Sequence, residues 1–196
     1  MNFSSGEDAL EALAALGAKL ETRGARPVSL LICGGAALNI SGLLTRATAD
    51  IDVLGKAGSG GELSEIPDWL FAVAEEVAAE LSLESGWLND AALSVTQMGL
   101  PQGILSRSKK RSFGRSLEIA IASRSDLIAL KCFAALNGKA GQKHLGDLVD
   151  LNPTEEEMSF TTEWLLDRPT SPEFRKVLRQ LCEVLGHSTQ AKRIES

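Results

Sequence analysis

Asp50 and Asp52 stand one residue apart in the run Asp50-Ile51-Asp52-Val53-Leu54. On an extended chain successive side chains alternate faces, so both carboxylates project together while Ile51 and Val53 enter the core. Same-face neighbours lie roughly 6.5 Å apart, within reach of one cation. An all-oxygen pair suits Mg²⁺ or Mn²⁺, and Mg²⁺ is usually held by one or two carboxylates together with substrate phosphates. Without a cation the like charges repel and one pKa rises. The alternative is a solvated Asp50 and an Asp52 paired with a nearby Arg or Lys.

Gly34 and Gly35 close the apolar run Val28 to Cys33 and open the segment Ala36 to Leu44, which reads as strand, tight turn and short helix. Lacking a Cβ, they let a phosphate approach the backbone near a helix N-terminus. A plain strand-to-helix turn is the alternative, since neither Gly-x-Gly-x-x-Gly nor a Gly-Lys-Ser/Thr loop is present.

Other residues extend this chemistry. Leu127 to Leu136 is an apolar, helix-like run broken by Lys131 alone. A buried ammonium is costly unless paired, so Lys131 either snorkels to the surface or meets an anion. In the strand-like run Ser116 to Ile121, Leu117, Ile119 and Ile121 share one face and leave Glu118 on the other. Glu118 is thus a candidate third carboxylate or general base, with Asp90 as its rival and a solvent-facing glutamate as the alternative. Arg107, Lys109, Lys110, Arg111 and Arg115 cluster with no acid among them. They read as a hairpin turn or mobile loop that contacts RNA phosphates while Phe113 stacks on a base, or else as a solvated loop. His144 and His187 are isolated, and Cys33, Cys132 and Cys182 form no Cys-x-x-Cys pair, so neither a zinc site nor a nucleophilic triad is expected.

These residues need elements to hold them. An amphipathic helix is expected over Glu7 to Arg23, with Leu10, Leu13, Leu16 and Leu20 on one side. Strand, glycine turn, helix and Asp-x-Asp strand follow, then a flexible Gly58-Ser59-Gly60-Gly61 connection. A second helix carries Ile66, Leu70, Val73, Val77 and Leu81, with Pro67 in its first turn and Gly86 as terminator. The Glu118 strand, the Lys131 helix and a short Lys143 to Leu151 helix come next. Asn152-Pro153-Thr154 and Ser171-Pro172-Glu173 start two tail helices, the last with a Phe174, Val177, Leu181 and Leu185 stripe. The expected fold class is α/β (α+β): a small mixed sheet flanked by helices over 1–151, followed by a helical appendage over 152–196.

A hydrophobic content of 44% with 23% charged residues is that of an ordinary globular protein. The net charge of −6 argues against a protein that coats nucleic acid along its whole surface. No apolar stretch approaches a membrane span, and Met-Asn-Phe-Ser-Ser-Gly-Glu-Asp lacks the pattern of a signal peptide. With unpaired cysteines, these features give an expectation of cytoplasmic location and no membrane partner.

Gly34-Gly35-Ala36-Ala37-Leu38 and Arg46-x-Thr48-x-Asp50-Ile51-Asp52 resemble the signature of the nucleotidyltransferase superfamily, most closely its minimal bacterial AbiEii/AbiGii abortive-infection toxin type. Asp126 to Lys131 resembles that group's lysine-bearing helix, and Lys143-His144-Leu145-Gly146-Asp147-Leu148 its Lys-Asp-x-x-Asp-Leu segment. Two departures stand out: Ala36 where Ser or Thr is common, and His144 where Asp is common. The resemblance implies a nucleotidyltransferase-like domain and a metal-dependent enzyme that moves a nucleoside monophosphate from a nucleoside triphosphate to a hydroxyl. Asp50 and Asp52 would hold the metal, Gly34, Gly35, Arg46, Thr48 and Lys143 the nucleotide, and Lys131 the phosphate charge, backed by Asp147. It further implies an RNA acceptor such as tRNA, a toxin or phage-defence role and a cognate antitoxin. A catalytically inactive nucleotide- or partner-binding module of the same fold is the alternative, and a purely structural interaction protein is a third.

Overall fold

The computed structural model describes residues 3–58, 60–137 and 141–195. Ser59 of the expected flexible loop and the first two residues of the amino terminus lie outside that range. The chain divides into two compact units, Met1–Ser123 and Arg124–Ser196.

In chain order the first unit contains α1 (Gly6–Thr22), β1 (Val28–Cys33), α2 (Gly34–Ile40), β2 (Ile51–Ala57), β3 (Leu63–Ser64), α3 (Asp68–Leu81), β4 (Leu88–Asn89), α4 (Leu93–Gln97), α5 (Ile104–Arg107), β5 (Lys109–Phe113) and β6 (Leu117–Ile121). They build one mixed six-stranded sheet in the order β3-β2-β1-β6-β5, with β4 on β2. β1 runs antiparallel to β2 and parallel to β6. The connection from β1 to β2 carries α2, and β6 returns to the other side of β1 only after the intervening elements. Leu30, Ile32, Ile51, Val53 and Ile119 are fully buried, as are Leu13, Leu16 and Leu20 of α1. Burial of these aliphatic side chains is the main force holding the sheet to its helices.

Between Leu31 and Ile32 the β1–β2 register shifts: Leu31 faces Gly55 and Ile32 faces Val53. Leu54 is left without an opposite number on β1, and its carbonyl accepts from Thr96 Oγ1 at 3.0 Å. This β-bulge lies two residues from Asp52.

The second unit contains α6 (Arg124–Asn137), α7 (Gly141–Leu151), α8 (Glu155–Leu166), α9 (Pro172–Val184) and α10 (Ser188–Glu195). Its α6 packs on α7 and α8, so the boundary falls before the Lys131 helix and not after Leu151. Thr154 and Ser171 cap α8 and α9 as their sequences predict, Thr154 within a reciprocal capping box with Glu157. The buried stripe of α9 is Leu178, Leu181 and Cys182, while Val177 is exposed, which corrects the expected stripe. Phe133 of α6 tilts against Trp164 of α8 with ring centroids 6.1 Å apart. No described helix is long and apolar enough to cross a membrane.

Candidate functional site

The structure gathers Gly34, Gly35, Arg46, Thr48, Asp50 and Asp52 at the junction of β1, α2 and the start of β2. Asp52 lies opposite Cys33, the last residue of β1. Gly34 follows with φ of +76°, a conformation that disfavours a side chain. A Cβ on Gly34 would also overlap the Asp52 carboxylate at Oδ2. On Gly35 it would lie 2.9 Å from Thr48 Oγ1 and 3.0 Å from an Arg46 guanidinium nitrogen. The glycine pair therefore makes room for the protein's own Asp52, Thr48 and Arg46, a use of the missing Cβ atoms that the phosphate reading does not contain.

Asp50 stands one residue ahead of β2 instead of inside it. The expected alternation nonetheless holds: Ile51 and Val53 are fully buried, whereas Asp50 and Asp52 are half-buried. Thr48 Oγ1 donates to Asp50 Oδ1 at 3.3 Å, and Asn89 Nδ2 approaches Asp50 Oδ2 at 3.4 Å. Arg46 is fixed through its backbone by Asn39, whose Nδ2 donates to Arg46 O at 2.7 Å.

Three residues absent from the sequence reading brace this cluster. Phe3 pairs with Thr48 through reciprocal backbone hydrogen bonds of 2.8 and 3.0 Å. Its ring meets Trp87 edge-on at 6.1 Å. Trp87 is anchored in turn, since its indole N–H donates to Ala74 O of α3 at 2.8 Å and its carbonyl accepts from Ile51 N at 2.6 Å. That last bond grips the residue between the two aspartates. Asn89 follows on β4, in parallel register with Asp52. Asp90, the rival acid, does not take this place: its carbonyl accepts from Leu93 N in the turn leading to α4.

Glu118 does not join the cluster. It is in register with Ser29, four residues before Cys33, which puts it about 13 Å along β1 from the level of Asp52 and two strands across. Its Oε1 takes 2.9 Å contacts from Ser29 Oγ and Lys110 Nζ. Those two donors, Lys110 first, hold the Glu118 pKa below the ordinary glutamate value. A carboxylate held in this way is an anchor between strands and not the third acid or general base the sequence suggested.

The basic segment is also corrected. It is neither a turn nor a loop at its centre but the edge strand β5, antiparallel to β6. Phe113 is buried, and Gly17 of α1 lies so close that a Cβ there would overlap Phe113, so its ring is withdrawn from base stacking.

Within the second unit, Lys131 Nζ meets Asp147 Oδ2 at 2.6 Å, with side-chain exposures of 7% and 3%. The ammonium has met an anion, and that anion is a carboxylate of α7. Lys143 is exposed on α7, and His144 is half-buried there. His187 Nδ1 lies 3.0 Å from Glu155 Oε1. All three cysteines are buried and free of disulfides, and burial pushes the Cys182 thiol up to about 11 and Cys132 higher still. Such thiols stay protonated and act as small core side chains.

Among the described residues no three His, Cys, Asp or Glu side chains group as a metal site. The candidate cation ligands are two carboxylates, with the Thr48 hydroxyl and the Asn89 amide beside one of them. That donor set is hard oxygen and carboxamide, matched to Mg²⁺ or Mn²⁺ rather than to a soft metal. No protein-family model, curated protein or solved structure matches this chain.

Proposed function

We propose that the chain is a cation-dependent nucleotidyltransferase whose site is the Asp50–Asp52 cluster of the first unit. The observation that carries this reading is the meeting of Asp52 with the Gly34 bend while Asp50 is held beside it by Thr48 and Asn89. Neutral donors leave the charge of Asp50 in place, and two half-buried acids so placed favour a divalent cation. When bound, Mg²⁺ or Mn²⁺ supplies charge neutralisation for a nucleoside triphosphate and its pyrophosphate leaving group.

The chain's residues do the positioning. Asp50 and Asp52 would hold the cation, Thr48 and Asn89 aim Asp50, and Arg46 lies over the glycine bend as a phosphate-facing charge. In the transfer, an acceptor hydroxyl would form the new bond to the α-phosphorus, the bond to pyrophosphate would break, and the hydroxyl proton would pass to solvent water. Glu118 has no part in this reading, and Lys131 is assigned to its ion pair with Asp147. The proposal of an RNA acceptor and a toxin or defence role rests on the motif resemblance alone.

A second reading, a nucleotide- or partner-binding module without turnover, is favoured by one observation: Asp52, Thr48 and Arg46 occupy the space that the glycines leave. One experiment separates the two. Each labelled nucleoside triphosphate is supplied with Mg²⁺ or Mn²⁺ and total cellular RNA or protein, and wild type is compared with Asp50→Asn and Asp52→Asn. Label transfer lost in both variants supports the enzyme. Cation-dependent nucleotide binding by calorimetry, with no transfer to any acceptor, supports the binding module and refutes the enzyme.

A further inference from the structure

We infer that the outer edge of β5 is a docking strand for an acidic, extended peptide segment. β5 ends the sheet, paired to β6 on one side and to no other strand among the described residues. Lys109, Lys110, Arg111 and Ser112 are all exposed. An edge strand turns a row of N–H and C=O groups outward, and a chain laid beside it can satisfy both. Here the alternating side chains are charged. Lys109 and Arg111 share one face, and Lys110 lies on the other, where it reaches Glu118 at 2.9 Å. Carboxylates at every second position of an incoming strand would stand across from Lys109 and Arg111, at the roughly 6.7 Å repeat common to both strands.

Competing occupants fit less well. A second copy of the chain would set the cations of one β5 beside those of the other, which is unfavourable across a strand pair. Single-stranded nucleic acid offers a phosphodiester backbone made only of acceptors, which would face the edge carbonyls as well as its N–H groups. Its bases would also find no platform, because Phe113 is buried. Cations on a sheet edge ordinarily keep neutral strands away. The same cations admit an acidic one.

The test uses the full chain and a labelled peptide of alternating Glu and Val at low salt, read by fluorescence anisotropy and amide hydrogen exchange. Saturable binding that protects the alternate, outward-facing amides between Lys109 and Phe113 is expected. Binding should weaken at least about tenfold in the charge-reversed Lys109→Glu/Arg111→Glu variant, and measurably in Lys109→Gln/Arg111→Gln should reversal perturb the fold. The same peptide N-methylated at alternate residues keeps its charge but loses strand pairing, and it should bind far more weakly. The inference is overturned by equal binding of the N-methylated peptide or by absence of peptide binding. Tighter protection of the same amides by a single-stranded RNA oligonucleotide also overturns it and makes β5 a nucleic-acid surface.

Discussion

Lys131 and Asp147 close on each other at 2.6 Å, both nearly inaccessible to water, whereas Asp50 and Asp52 set two like charges beside a glycine bend. In the second unit, charge is cancelled inside the protein. In the first, the donors on Asp50 are a hydroxyl and an amide, which orient a carboxylate without neutralising it. A buried pair of opposite sign needs nothing more for its balance. Two acids on one sheet face gain by meeting an external cation. The contrast separates an ion pair that holds two helices together from an acid that neutral donors orient, although both involve carboxylates of the same chain.

The sharpest way to break this contrast is to remove one member of the closed pair. Asp147→Ala leaves the Lys131 ammonium buried without its carboxylate and should lower unfolding stability by about 3–5 kcal/mol in urea titrations. The double substitution Lys131→Met with Asp147→Leu should recover most of that loss. A single variant as stable as wild type would show that Lys131 serves a different anion.

The acids at the glycine bend should show their largest effect on activity. In Asp52→Asn label transfer should fall roughly 100- to 1,000-fold for lost cation binding while the chain stays folded. A variant that unfolds with its activity would move Asp52 into the structural class. One step smaller, Asn89→Ala withdraws an orienting amide and should reduce transfer or cation affinity by about 10- to 100-fold, measured by titration with Mn²⁺. An unchanged affinity would mean that Asp50 is aimed by Thr48 alone.

The smallest effect concerns Glu118, the acid set apart from the site. Its pKa is lowered in the folded chain by Lys110 and Ser29, so its contribution is present above the unfolded value near 4.5 and disappears as pH falls through the lower folded value. Solvent screens this partly exposed pair, and the contribution is about 0.2–1 kcal/mol at most. The stability difference between wild type and Glu118→Gln should therefore be constant at neutral pH and vanish in acid. Activity should be unaffected throughout, and loss of transfer in this variant would return Glu118 to the site.

Local chemistry decided which parts were legible from residues alone. A mostly apolar run followed by two glycines marks β1 and the bend, and the alternation around Ile51 and Val53 places both acids on one face. Thr154 and Ser171 announce their helices because a cap is a local hydrogen bond. Asn89 and Trp87 were illegible for the converse reason. β4 is two residues long and carries no periodicity, and both its partner β2 and the Phe3 ring that meets Trp87 are remote in sequence. β5 was misread because four consecutive polar residues show no alternation of burial, and its strand character comes from pairing with β6. For Lys131 the residues alone leave two outcomes open, the surface or an anion, and the structure shows the anion. That Asp147 would supply it is a tertiary fact.

The unmatched Leu54 fixes a parity. If the pairing at Leu30 with Lys56 continued without interruption, Val53 would stand opposite Cys33, and the acid next to it would be carried through to the oily side of the sheet. One surplus residue turns every side chain from Ile51 to Val53 over relative to the continuation of Gly55 to Ala57. Lengthening or shortening β2 by a single codon between the bulge and the aspartates would thus act as an inverter of sidedness, whereas a two-codon change would restore orientation and alter only reach.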